Sequence, residues 1–128
     1  MIIVRIILHV RPEKELEFTQ TLLSIIEPAR EEVGCISSSF CCNVEDNYCY
    51  HLLEEWKSRK DLKRHLETPR FGVLLGLKSL LSKPLKIRIH RITGTDGMEA
   101  VEQIRRRHSE KSLPKKNRYA SPKNRKPF

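Results

Sequence analysis

The sequence predicts an α+β fold of ferredoxin-like, split βαββαβ order: a four-stranded antiparallel sheet with helices on one face. Three observations predict it. The chain opens on a nearly unbroken apolar run, Ile2 to Val10, as a strand buried on both faces does. Two strand-forming stretches, Cys35–Asn43 and Tyr48–Trp56, flank the acidic turn Val44-Glu45-Asp46-Asn47, which is a hairpin signal. An alternating segment, Leu85–Ile92, follows a helical region and closes the order. At 128 residues and 15.0 kDa the chain has the size of one domain.

Between the first two strands, Pro12 stands where a helix start tolerates it, and Glu13, Glu15 and Glu17 suit the positive end of a helix dipole. Leu16, Thr19, Leu22, Leu23, Ile26, Ala29 and Val33 fall at helical spacing and predict one apolar stripe over about five turns. Pro28 removes an amide donor and should kink or restart that helix, and Gly34 is a natural stop. After the hairpin, Ser58 can cap a short helix through Leu66, with Asp61 near its first turn. Thr68-Pro69 punctuates, and Phe71, Leu74, Leu75, Lys78 and Leu81 predict another helix that Pro84 ends. Beyond Gly94-Thr95-Asp96-Gly97, Met98 to His108 can form one more helix with a narrow strip of Ala100, Val101 and Ile104.

The net charge of +9 is localised. Residues 105–128 hold ten Lys/Arg against one acid, Glu110, so residues 1–104 balance fifteen bases with fifteen acids. The expected organisation is a folded domain over residues 1–93 and a basic extension over 94–128, without fixed order after Ser109 because too little apolar surface offsets the ordering entropy. Such a tail can make non-specific, salt-dependent contact with polyanions through residues 105–128, although only Tyr119 and Phe128 offer stacking surface. No apolar run reaches the roughly 20 residues of a membrane-spanning helix, and the opening run, followed by a charged segment rather than a small-residue cleavage site, reads as a strand and not a signal peptide. A cytoplasmic chain with reduced Cys35, Cys41, Cys42 and Cys49 is the simplest expectation. No C-x-x-C pair occurs, and no metal site is expected among them.

One helical layer leaves the second sheet face to be covered. Ile3, Arg5, Ile7 and His9 alternate with Ile2, Val4, Ile6, Leu8 and Val10, so both sides of the first strand are substantially apolar. Exposed to water, such a face is sticky. A homodimer with two sheets face to face resolves this.

The stretch Leu53 to Phe71 carries the pattern E-x-W-x-S-x-x-x-L-x-x-H-x-x-[ST]-P-x-[FHM] through Glu54, Trp56, Ser58, Leu62, His65, Thr68, Pro69 and Phe71. It resembles the antibiotic biosynthesis monooxygenase family, over about residues 1–93. The resemblance implies a dimeric α/β barrel with a cavity between sheet and helices, and oxidation of a small quinol or aromatic compound by oxygen without metal or flavin. An electron-rich phenolate can itself pass an electron to oxygen; the protein supplies an apolar cavity, groups that orient and deprotonate the phenol, and exclusion of water. By the same resemblance His65 orients or deprotonates substrate, Glu54 assists by hydrogen bonding, and Trp56 with Phe71 encloses the ring. Leu52, counted with Trp56 and Phe71 among the substrate-binding positions, stands where the polyketide oxygenases place an asparagine. Haem-degrading members use an asparagine and a histidine where this chain has Ile6 and Leu75.

Each of these residues also has a plainer reading. His65 can be a packed, hydrogen-bonded helix histidine, Trp56 a core wall, and Glu54 half of an ion pair with Arg88 or another base across the sheet. His51 points away from Leu52 and Glu54, and His9 shares a face with Arg5. Beside the oxygenase stand a non-catalytic, ligand-binding or stress-associated barrel of the same fold, and a polyanion-binding module.

Overall fold

The computed structural model of the chain describes residues 1–110. These divide into one compact unit, Met1–Ile92, and a second beginning at Thr93. In the first, strands β1 (Ile2–His9), β2 (Cys35–Cys42), β3 (Cys49–Trp56) and β4 (Lys86–Arg91) form one antiparallel sheet in the order β2-β3-β1-β4. Helix α1 (Glu15–Ala29) joins β1 to β2. Helices α2 (Arg59–Leu66) and α3 (Pro69–Leu75), with a 3-10 turn at Gly76–Leu80, join β3 to β4. This is the expected α+β order. In the second unit, Met98–Glu110 forms helix α4. The expected loss of order after Ser109 and most of the basic tail concern residues 111–128, which lie outside the described residues.

Register decides what each face carries. Ile2, Val4, Ile6 and Leu8 stand opposite Trp56, Glu54, Leu52 and Tyr50 of β3, and this layer is buried beneath the helices. Central strand β1, paired on both sides, can bury both apolar rows. On the opposite face, Ile3 and Ile7 are half-buried, Arg5 is exposed, and Leu53 of β3 joins them.

Helix α1 departs from its expected stripe. Its buried residues are Phe18, Leu22, Ile25, Ile26 and Ala29, a regular i, i+4, i+7, i+8, i+11 series, whereas Leu16 and Leu23 lie exposed. Leu22, Ile26 and Ala29 of the expected stripe are buried, but Leu16 and Leu23 are not; Phe18 and Ile25 complete the buried face. Pro28 does not restart the helix, which runs unbroken from Glu15 to Ala29. It stands in the last turn, where the missing amide costs one bond and the helix ends at Ala29. Val33, expected on the stripe, lies in the following turn and is exposed.

That turn is closed by Gly34 at φ +84°, a left-handed conformation open to glycine. Its carbonyl accepts from Lys57 N at 2.8 Å, and its Cα abuts the Asp61 side chain. The turn after α1 is thereby pinned to the start of α2.

Candidate functional site

Helix α2 is short, eight residues, and rests on its caps. Ser58 Oγ accepts from Asp61 N at 3.2 Å, and Thr68 Oγ1 in turn caps α3 by accepting from Phe71 N at 3.2 Å. The same Thr68 hydroxyl donates to His65 O at 2.7 Å, so the end of α2 is tied to the start of α3. Leu62 and His65, three apart, face inward.

His65 is 2% exposed, and both its ring nitrogens face carboxylates. Nδ1 lies 3.0 and 3.1 Å from the two Glu32 oxygens, while Nε2 lies 3.5 Å from Glu54 Oε2, long for a formed hydrogen bond. Among the described residues Nε2 has no formed hydrogen bond. Glu54 Oε1 accepts from Trp56 Nε1 at 3.0 Å, and Arg70 Nη2 donates to Glu32 Oε2 at 3.2 Å. The result is a continuous polar chain, Trp56–Glu54–His65–Glu32–Arg70, running from β3 through α2 to α3. Burial opposes the charged imidazole, yet hydrogen bonding and the two carboxylates outweigh it and raise the His65 pKa above 6.5. The same carboxylates, after burial itself, push up the nearby Cys35 thiol, so this cysteine is held protonated rather than as a nucleophile.

The aromatic residues pack on this chain. The Trp56 ring lies 4.5 Å from that of His65 with planes 32° apart, and Phe71 meets His65 edge-on at 5.5 Å. Thus four of the five residues singled out in the sequence, Glu54, Trp56, His65 and Phe71, form one cluster. Leu52 stands apart from it: fully buried between Ile6 and Phe40 in the register, it belongs to the core. The expected Glu54–Arg88 pair does not form. Arg88 opposes Arg5 on the other face of the sheet, and Glu54 pairs with His65 and Trp56 instead.

Two members of the cluster, Glu32 and Arg70, do not stand out in the sequence. Glu32 reads there as one more acid at a helix end, and Arg70 occupies a free position of the Leu53–Phe71 motif. Only the Gly34 turn brings the first onto α2.

Beside the cluster lies an open groove of about 500 Å³ between α2 and β4, lined by Ile2, Leu62, Leu66 and Ile89 with Arg59, Lys63 and Arg91 at its rim. Ile2 is the cross-strand partner of Trp56, and Leu62 and Leu66 flank His65 on α2. The groove therefore abuts the polar chain, although none of the five singled-out residues lines it.

An antiparallel sheet of order β2-β3-β1-β4 joined by helices defines the ferredoxin-like α+β class. The profile of the antibiotic biosynthesis monooxygenase family matches residues 1–74, and the chain belongs to that family. Among relatives, an uncharacterised Synechocystis protein, sll1783, is 36% identical over 89 residues, 69% of this chain. This chain spans only 60% of that protein's length. YcnE of Bacillus subtilis, provisionally named a monooxygenase, is 33% identical over 88 residues, 68% of this chain and 93% of its own. A conserved protein of Methanosarcina mazei, solved by crystallography, superposes with a TM-score of 0.67 at 33% identity, covering 70% of this chain and 90% of that one. A Deinococcus radiodurans structure assigned to the same family superposes at 0.71 with 22% identity, covering 76% and 97%, and supports the fold.

Proposed function

We propose that the chain is a cofactor-independent monooxygenase acting on a small quinol or aromatic compound, as a homodimer. The observation that carries this reading is buried His65, whose Nε2 faces Glu54 at 3.5 Å without a formed hydrogen bond, beside a groove with a cationic rim. The apolar floor of Ile2, Leu62, Leu66 and Ile89 suits an aromatic ring. Arg59, Lys63 and Arg91 favour a phenolate over a phenol there, as cations near an acid do. The phenolate is the form that gives an electron to oxygen unaided. In this reading the hydroxyl enters between Ile2 and Leu62 to meet His65 Nε2, with Glu54 assisting and Trp56 and Phe71 packed against the imidazole. Glu32 and Arg70 hold the imidazole in place. Pairing of the faces that carry Ile3, Ile7 and Leu53 would bury them between two copies.

Closure of the cluster favours a second reading. With His65 pinned between two carboxylates and Trp56 fully buried, the barrel can bind an aromatic compound without turning it over. Polyanion contact through residues 105–128 stays a third proposal, resting on composition.

Anaerobic incubation with a panel of hydroquinones, followed by oxygen, separates these. Oxygen uptake by the wild-type chain that is lost in folded His65→Gln and Glu54→Gln variants supports the oxygenase. Equal rates in all three remove both residues from the mechanism. Binding without uptake selects the second reading. Among the described residues no helix is long and apolar enough to cross a membrane.

A further inference from the structure

At the end of the sheet opposite to Trp56, three donors of different chemistry converge. His9, the last residue of β1, stands directly opposite Cys49, the first of β3, and the β2–β3 turn brings Asp46 over both. One ligating atom from each residue, imidazole nitrogen, thiol sulfur and carboxylate oxygen, lies within 4.8 Å of the other two. We propose that His9, Asp46 and Cys49 form a binding site for a divalent zinc-like cation.

The turn builds the spacing. Cys49 N donates to Asp46 O at 3.0 Å, and Tyr48 N donates to Asp46 Oδ1 at 3.1 Å, so the Asp46 side chain is held against the start of β3 with its second oxygen left over. Val10 N donates to Tyr48 O at 2.8 Å and locks the end of β1 alongside. A fourth donor is at hand: His51 Nε2, two residues along the same strand face, lies 3.7 Å from Cys49 Sγ. Two ligands at about 2.3 Å (sulfur) and 2.0–2.1 Å (nitrogen) from one tetrahedral zinc stand roughly 3.6 Å apart. Sulfur, imidazole and carboxylate together are the donor set that zinc takes, whereas calcium and magnesium take oxygen.

The same residues do not suit a cysteine nucleophile. Burial and then Asp46 push the Cys49 thiol up, the reverse of what a reactive thiolate needs. A metal ion displaces that proton by direct coordination, and Asp46 offsets its charge, although Lys83 nearby works against the cation. The site is invisible in the sequence because its donors, spaced by 37 and 3 residues, match no ligand motif; antiparallel register alone brings His9 to Cys49.

Cobalt(II) titration of the reduced 128-residue chain tests this. Expected is one cobalt per chain, with a thiolate-to-cobalt charge-transfer band in the near ultraviolet that zinc abolishes by competition. The band should survive a triple Cys35→Ser, Cys41→Ser, Cys42→Ser variant and disappear in Cys49→Ser. Asp46→Asn, a substitution on an exposed turn that should leave folding intact, and His9→Ala should each weaken binding at least tenfold. Absence of the band, its persistence in Cys49→Ser, its loss in the triple variant, or unchanged affinity in both Asp46→Asn and His9→Ala overturns the proposal.

Discussion

The imidazole of His65 lies against the indole of Trp56, ring centroids 4.5 Å apart, while its two nitrogens face Glu32 and Glu54. Charge, stacking and burial meet at one side chain, so protonation of His65 is felt by the fold and reported by the chain's single tryptophan.

Stability should therefore depend on pH. The folded chain keeps a proton on His65 that the unfolded chain releases above about 6.5, because the folded-state pKa is raised. This contribution to stability is fully present below pH 6.5 and lost as pH rises through the folded value; a tenfold gain in proton affinity on folding is worth about 1.4 kcal/mol. Urea midpoints should fall over that range, and the fall should be absent in His65→Gln. An imidazolium quenches indole emission on contact, so Trp56 fluorescence should climb over the same interval. A pH-independent midpoint together with flat emission contradicts the ion-paired imidazole.

Gly34→Ala should be among the costlier small substitutions in the chain. A left-handed φ of +84° costs an alanine about 1–2 kcal/mol, and the new methyl also collides with Asp61, which caps α2 with Ser58. Because the turn carries Glu32 onto α2, the variant should lose pH dependence as well as stability. Denaturant melts at two pH values measure both. A variant as stable as the wild type means that the turn is looser than described.

Tyr50 supplies a third test. Its hydroxyl donates to Glu15 Oε2 at 3.0 Å, tying β3 to the first turn of α1, and its ring packs on Phe18 at 5.1 Å. Burial first, then the bond to Glu15 and that residue's charge, push the phenol up to about 12. Ultraviolet titration should show a component near pH 12 that Tyr50→Phe removes. The substitution should cost roughly 1.5–3 kcal/mol, as for a hydrogen bond to a charged acceptor. If the component remains in Tyr50→Phe, the assignment is wrong.

How far the sequence can be read follows from the range of the interactions. The hairpin, the capped helix at Ser58 and the Thr68-Pro69 start of α3 are legible because each is set by neighbours within about four residues. The buried face of α1 is legible only in part: Leu22, Ile26 and Ala29 lie on it as expected, but packing on the sheet adds Phe18 and Ile25 and leaves Leu16 and Leu23 outside. Glu54 is legible as part of a motif, but its partner is not: Arg88 and Glu54 lie on opposite faces, a parity set by the pairing of β1 with β4.

From the linear chain alone came the order of the elements, the family motif from Glu54 to Phe71 and the concentration of charge after residue 104, since local backbone preference and residue spacing suffice for each. Only the folded chain decided that Glu32 and Arg70 complete the His65 cluster, that Leu52 belongs to the core, and that His9 meets Asp46 and Cys49. Those contacts join residues far apart along the chain, and strand register together with one left-handed glycine turn determines which of them touch.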